Sequence, residues 1–295
     1  MAAGRAATTT IAIPVYNGEQ YLLEAIDSAL EQSVPPTELI VFDNASTDSS
    51  ARIAEHRLGP NSVRRSSKNQ GASWNFSRAV RESTGEYFAW LGADDRFHPH
   101  FLERTVAALD AAPDSAACLT AIEFIDASGV AIGSQRDDAL ADPRVDIRLR
   151  AFLRRHRWTE VYCLYRRDVL LRSPIFRGAF ADDVTLTWWF LLRGPLVVLT
   201  DPLLQYRVDA VKTDDEMAES LLPGAPTAHW RKLRMWCDMW RAASMIDVDP
   251  HARRAAHREL VLALGSRTWL EHNVMDLRQA LRDASHLIRK RAQVQ

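Results

Sequence analysis

The sequence predicts an α/β fold, a mixed and mostly parallel sheet between helices, followed by a helical C-terminal extension. Short β-rich apolar runs alternate with amphipathic helical stretches over roughly the first 110 residues, the pattern of strands joined by crossover helices. Three of those runs stop abruptly at polar, turn-forming residues, and beyond Asp209 the pattern becomes almost wholly helical.

Taken in order, Thr9 to Val15 reads as a buried strand closed by the Asn17-Gly18 turn. Leu22, Leu23, Ile26, Ala29 and Leu30 recur at helical spacing between Glu19 and Gln32, and Pro35-Pro36 stops that helix. Glu38 to Phe42 is a second strand, running into Asp43-Asn44-Ala45-Ser46-Thr47-Asp48, where Ser46 or Thr47 can cap a helix that ends near Leu58. Val63 to Ser67 and a helix over Ala72 to Glu82 form the next pair. Glu86 to Leu91 is a strand that leads directly into Gly92-Ala93-Asp94-Asp95. A helix starting near Pro99 and a strand over Ala117 to Phe124 close this half. The middle is less regular. Asp126 to Pro143 reads as a loop or hairpin, Ile147 to His156 as a helix, Val161 to Tyr165 as a short strand, Val184 to Leu192 as a bulky apolar helix and Leu196 to Leu204 as the last strand. Pro223, Gly224 and Pro226 mark a boundary.

Composition narrows the function classes. Of 295 residues, 47% are hydrophobic and 25% charged, which excludes a disordered chain. Thirty-eight acidic and 37 basic side chains nearly cancel, so no global field argues for a nucleic-acid partner. Cys118, Cys163 and Cys237 are odd in number and far apart, which excludes a disulfide framework and a CxxC zinc site and fits a reducing compartment. Met1 to Thr10 lacks the apolar core of a signal peptide, and no stretch approaches the ~20 apolar residues that span a bilayer. The expectation is a cytoplasmic protein without transmembrane segments, of undetermined oligomeric state.

In an open parallel sheet, ligands bind at the carboxyl ends of the strands. Here those ends carry Tyr16-Asn17, Asp43-Asn44 and Asp94-Asp95. Asp and Asn are also common turn formers and helix caps, which is the plainer reading of any one of them. The adjacent pair Asp94-Asp95 is harder to explain so, because two neighbouring anions repel unless a positive partner joins them. Only Arg96 follows closely, so a divalent cation, Mg²⁺ or Mn²⁺, is the natural partner, held by one or two carboxylates and by substrate phosphates. No GxGxxG follows the first strand and no GxxxxGK[ST] occurs, which argues against dinucleotide or P-loop nucleotide use.

Ile13-Pro14-Val15-Tyr16-Asn17-Gly18-Glu19, Asp43 to Asp48, Asn69-Gln70-Gly71 and Trp90-Leu91-Gly92-Ala93-Asp94-Asp95 stand in an order and spacing that resembles family 2 glycosyltransferases. The resemblance covers roughly the first 210 residues. It implies the Rossmann-like GT-A fold of nucleotide-diphospho-sugar transferases, with a catalytic domain over 1–210 (donor half about 8–124, acceptor half about 125–210) and an extension over 211–295. It also implies a nucleotide-diphosphate sugar donor, a divalent metal and single-sugar transfer to a hydroxyl with inversion. Carried over by residue, Pro14, Val15, Tyr16 and Asn17 would line the nucleoside pocket. Asp43, beside Asn44, would accept an N–H of the base, which favours UDP or dTDP. Asn69, Gly71 and the Trp74-Asn75 pair would flank the nucleotide, and Ala93, Asp94 and Asp95 the diphosphate, with Asp94 and Asp95 as metal ligands. Gly92 departs from the pattern, since many members carry an Asp there.

Inversion needs a base that strips the acceptor hydroxyl. The resemblance implies one at the start of a helix, where Asp182-Asp183 stands; Asp182 is the first choice and Asp183 the second, against the plainer reading that acids favour a helix N-terminus. Arg207, in Tyr206-Arg207-Val208-Asp209, is expected either to grip the diphosphate with its planar fork or to form a surface salt bridge. Asp209 stands where relatives carry His. Trp158, Tyr162, Phe176, Phe180 and Trp188 are expected to shape the pocket that selects sugar, base and acceptor, the last a glycan, lipid-linked glycan or small molecule. Arg64-Arg65 reads as a solvated strand edge. Leu233, Trp236, Cys237 and Trp240 form a helical stripe, read as a helix packed on the catalytic domain in preference to one lying on an anionic membrane. The alternative function is a sugar-nucleotide-binding module that has lost catalysis, suggested by Gly92 and Asp209.

Overall fold

In the computed structural model the described residues are 7–155, 159–174, 181–208 and 231–264. The strands are β1 (Thr9–Val15), β2 (Glu38–Asp43), β3 (Val63–Arg65), β4 (Tyr87–Trp90), β5 (Arg96–Phe97), β6 (Ala117–Ile125), β7 (Ala131–Gln135), β8 (Leu164–Arg166) and β9 (Val197–Arg207). They form one sheet in the order β3-β2-β1-β4-β8-β6-β9-β5, with β7 on β6. The first four run parallel, as the alternation of strands and helices requires, and β9 runs parallel to β6; β8, β7 and β5 join antiparallel. The stretch read as a loop or hairpin is a hairpin, β6 turning into β7.

Alternation within the strands divides the core. Ile11, Ile13 and Val15 point to one face, against Leu22, Ile26, Phe101 and Leu102 of α1 (Leu22–Leu30) and α4 (Phe101–Asp110). Ala12, Phe42, Phe88 and Trp90 point to the other, among α3 (Ala72–Glu82), α5 (Val145–Arg155) and α7 (Asp182–Arg193). Two further helices are α2 (Ser50–Leu58) and α6 (Arg167–Arg172), the latter too short to show a periodicity in the sequence.

Helices α8 (Arg231–Ala243) and α9 (Pro250–Leu264) extend the second core. The fully buried residues of α8 are Met235, Met239, Ala242 and Ala243; of the expected stripe, Trp236 packs half-buried on the core, and the side chain of Leu233 lies outside the described residues. Small alanines and pliable methionines let α8 approach α7 closely, where Trp188 Nε1 donates to Met239 O at 3.1 Å. Cys237 is exposed, and Trp240 stacks on His257 of α9 with ring centroids 3.9 Å apart. Arg150 of α5 pairs with Glu259 of α9 through two 2.9 Å hydrogen bonds. No helix among the described residues is long and apolar enough to cross a membrane.

Candidate active site

The parallel half of the sheet delivers three polar strand ends to one edge. Val15 of β1 is in register with Asp43 of β2, and β1 pairs on its other side with β4, whose end leads into Gly92 to Asp95. The loops after β1 and β2 lock together. The N–H of Asn17 donates to Ser46 Oγ, that of Gly18 to Ser50 Oγ and that of Glu19 to Asp48, while Asn17 Oδ1 accepts the N–H of Thr47 at 2.9 Å. Asn17 and Ala45 both have left-handed backbones, with φ of 52° and 64°. Among the described residues the only other non-glycine of this kind is Ala181, at the head of α7. Such conformations cost about 1–2 kcal/mol each. Their restriction to the three segments around this edge marks it as a place where chain geometry is held against preference.

Each expected donor residue has a definite environment. Pro14 and Val15 are buried in β1, so the surface offered there is the ring of Tyr16, which is 48% exposed. Asp43 is fully buried; Oδ1 accepts the N–H of Ser46 at 3.2 Å. Its Oδ2 lies 3.1 Å from Arg65 Nε, close enough for an ion pair but without a hydrogen bond. The parallel register Asp43↔Arg65 creates this contact, so Arg65 belongs to the site and is not a bare strand edge. The strand pairing could not be read from the sequence. Asn44 and Asn69 turn their amides on each other: Asn44 Nδ2 donates to Asn69 Oδ1 and Gly71 O, Asn69 Oδ1 accepts the N–H of Gly71, and Asn44 Oδ1 that of Gln70. They shape the loop into α3, where Gly71 supplies φ 86°. Trp74 stands on the first turn of α3 under the guanidinium of Arg78. The next residue, Asn75, donates to Phe42 O, and its buried Oδ1 has no hydrogen-bond partner.

The acid pair explains the glycine beside it. A Cβ on Gly92 would lie 2.3 Å from Asp95 Oδ2 and 3.1 Å from Asp94 Oδ1, so the two carboxylates close over the space a side chain would need. Ala93 is half-buried and Asp94 exposed. Asp95 is buried; its Oδ1 accepts the N–H of Arg207 at 2.8 Å, and its Oδ2 has no hydrogen-bond partner. Burial and then the charge of Asp94 push the Asp95 carboxyl well above the ordinary carboxylate range. Adjacent carboxylates with one orphaned buried oxygen fit a divalent cation. Among the described residues no third His, Cys, Asp or Glu joins them, so further ligands would be water and donor phosphates.

Arg207 corrects an expectation. Its side chain has no exposed surface, and its guanidinium is engaged entirely by the protein: Nε donates to Asp94 O, Nη1 to Asp126 O and Ala127 O, and Nη2 to Glu24 at 2.7 Å. It is neither a diphosphate fork nor a surface ion pair.

At the head of α7 the two acids diverge. Asp182 is buried and lines a cavity of about 390 Å³ with Thr185, Arg234, Asp238 and Arg241. Asp183 lies near Tyr162 and Tyr206, the same phenols that feel Asp94 and Asp95. The phenols of Tyr162 and Tyr206, whose ring centroids are 6.1 Å apart, are held protonated by burial first and then by the charges of Asp95, Asp94 and Asp183. Burial also raises the Asp183 carboxyl to about 7, opposed by the N–H groups of Val184 and Asp183 and reinforced by Glu160 and Asp182. Glu160, buried in the turn before Tyr162, had no sequence signal. Trp188 is fully buried against Phe152; Trp158, Phe176, Phe180 and Asp209 lie outside the described residues.

The sequence profile of Glycosyl transferase family 2 matches residues 10–172, more than half of the chain. The chain belongs to glycosyltransferase family 2. An uncharacterized glycosyltransferase of Rickettsia typhi is 37% identical over 101 residues, covering 34% of this chain and 31% of the relative. The uncharacterized glycosyltransferase YibD of Escherichia coli is 30% identical over 195 residues, 63% of this chain and 56% of the relative. The chain thus spans only part of the length of these relatives. Among solved structures, S. aureus TarS 1–349 in complex with UDP-GlcNAc superposes with a TM-score of 0.68 at 19% identity, over 88% of this chain and 74% of that one. The mannosyltransferase PcManGT from Pyrobaculum calidifontis, in complex with GDP-Man and Mn²⁺, gives 0.57 at 20% identity over 99% and 81%. At these identities the likeness is one of fold, the GT-A fold that the motif order implied.

Proposed function

We propose that this member of the family transfers a single sugar from a nucleotide-diphosphate donor to an acceptor hydroxyl, with inversion and with a divalent cation. The observation that carries the reading is the convergence of Asp94, Asp95 and Asp183 on one pair of tyrosines, on the sheet edge that also bears Asp43. Tyr16 offers a ring face to the base, and Asp43 Oδ2, which pairs with Arg65 but accepts no hydrogen bond within the protein, accepts an N–H from it, a hydrogen bond suited to uracil or thymine. TarS in complex with UDP-GlcNAc supports a uridine donor. Asp94 and Asp95 would hold the cation, which neutralises the departing diphosphate. Mn²⁺ with PcManGT supports that part of the reading.

Asp183, rather than Asp182, is the base. A carboxylate that titrates near neutrality is matched to deprotonating a hydroxyl at physiological pH. It takes the acceptor proton as the acceptor oxygen attacks the anomeric carbon opposite the leaving diphosphate, and a single displacement inverts that centre. The alternative of a non-catalytic binding module drew on Gly92 and Asp209; the carboxylate of Asp95 fills the space at Gly92, so that departure does not favour it, and Asp209 lies outside the described residues. The test is turnover of UDP-, dTDP- and GDP-sugars with Mn²⁺ by wild type, Asp94→Ala and Asp183→Asn. Loss in both variants supports the assignments, and equal turnover in all three refutes them.

A further inference from the structure

The engagement of Arg207 has a consequence for the acid pair. Its guanidinium joins three separate pieces of chain: the Gly92–Asp95 turn through Asp94 O, the β6–β7 turn through Asp126 O and Ala127 O, and α1 through Glu24. The face of the fork lies 4.1 Å from the ring centre of Tyr21, which closes its remaining side. The same residue's N–H holds Asp95 Oδ1 at 2.8 Å. One residue therefore grips the backbone of Asp94 and the carboxylate of Asp95 together. With Oδ1 fixed, Asp95 has a single orientation, in which Oδ2 turns over Gly92 toward Asp94 Oδ1. Arg96 strengthens the frame from outside, with Nη1 3.5 Å from Glu24 and Nη2 donating to Gly129 O.

A clamp that only stabilised the fold would not need this placement. A buried guanidinium is costly to desolvate, and apolar packing would serve stability as well or better. Nε, Nη1 and Nη2 each donate to an acceptor on an element bordering the acid pair. Arg suits the task because its rigid fork can serve several acceptors in fixed directions, whereas the point charge of Lys cannot.

We propose that Arg207 is the positioning residue of the cation site: it presents Asp94 and Asp95 to the metal–diphosphate without itself touching the donor. This rests on the reading of Asp94 and Asp95 as cation ligands. Groups that orient metal ligands typically change metal affinity by about 10–100-fold when removed.

The experiment is Mn²⁺ binding to the full chain in the presence of UDP, followed by the loss of the free Mn²⁺ paramagnetic resonance signal, with calorimetric titration of UDP in EDTA alongside. Wild type is compared with Arg207→Lys and with the milder Glu24→Gln, which alters one clamp partner on a half-exposed side chain and keeps the fold secure. Arg207→Lys should weaken Mn²⁺ about tenfold or more, and Glu24→Gln by a smaller factor in the same direction, while UDP affinity in EDTA stays within about twofold of wild type. Unchanged Mn²⁺ affinity in folded Arg207→Lys, or in Glu24→Gln should the first variant not fold, overturns the inference alone. Equal loss of metal-free UDP binding also overturns it, since that marks direct donor contact or general damage. If wild type itself binds no Mn²⁺ with UDP, the cation reading fails and the inference falls with it.

Discussion

Replacing Asp183 by Asn should remove activity and add stability, and the two effects should separate with pH. The carboxyl sits at about 7 instead of its ordinary 3.8, because burial disfavours its charged form. That displacement corresponds to about 4 kcal/mol between the protonation states, reduced to about 2–4 kcal/mol by the water that reaches its partly exposed edge. The folded-state value is raised, so the native protein holds a proton there that the unfolded chain has already released. Wild-type stability therefore falls as pH rises from about 4 to about 7 and is flat above that. Asn has no proton to lose and escapes this decline. Between pH 5 and pH 8, Asp183→Asn should gain about 2 kcal/mol relative to wild type, or about 4–8 °C in melting temperature for a domain of this size. Turnover should fall by about 10²–10⁴-fold, the usual contribution of a positioned base. Thermal melts at both pH values and initial rates with a sugar nucleotide measure the two effects. A variant that keeps its activity, or whose stability advantage does not grow with pH, would refute the assignment.

Other consequences are equally direct. In wild type kcat/KM should rise with pH to a plateau with an apparent pKa of about 7, and Asp182→Asn should keep that profile, because Asp182 lines the cavity beside Arg234 and Arg241. Gly92→Ala forces Asp95 Oδ2 out of the space it occupies, so Mn²⁺-dependent turnover should drop at least tenfold while circular dichroism stays native. Asp43→Asn replaces one acceptor oxygen with a donor in a buried site; UDP binding by calorimetry should weaken by about 1.5–3 kcal/mol, the worth of a hydrogen bond to a charged group. Trp188→Ala should cost about 3–5 kcal/mol of stability through the cavity it leaves, read as a fall in melting temperature, with KM for the donor unchanged in the folded fraction.

The parallel half was legible because β1, β2 and β4 are short apolar runs ending in a turn signal. Helix α3 was located at its observed ends, since Gly71 punctuates its start and the amphipathic period is clean. The second half was read less completely. The two residues of β5 and the single turn and a half of α6 are too short for a period, and their formation depends on β9 and β8 arriving beside them. On α8 the aromatic stripe was only partly right: Trp236 packs on the core, but Cys237 and Trp240 face outward and Met235, Met239, Ala242 and Ala243 make the close contact.

At the site, residue types were legible and their partners were not. Asp43, Asp94, Asp95 and Asp183 were all visible as acids at strand or helix ends. That Asp182 lines the cavity with Arg234 and Arg241, while Asp183 lies near Tyr162 and Tyr206, depends on how α7 is set against α8 and the sheet, which no propensity foretells. Arg207 looked like a ligand-binding arginine because a sequence shows charge and not burial; its acceptors come from residues 24, 94, 126 and 127, brought together only by the fold. Gly92 looked like a loss. The geometry makes it a requirement of the Asp95 carboxylate beside it.

The most direct test of a shared donor–metal cleft is anomalous scattering from Mn²⁺ in crystals grown with UDP. The account predicts one strong peak bonded to Asp94 or Asp95 and to the diphosphate, with uracil against Tyr16 and Asp43 and the Asp183 carboxylate facing the same chamber. Nucleotide bound away from Asp43, or manganese bound away from the Gly92–Asp95 turn, would contradict it.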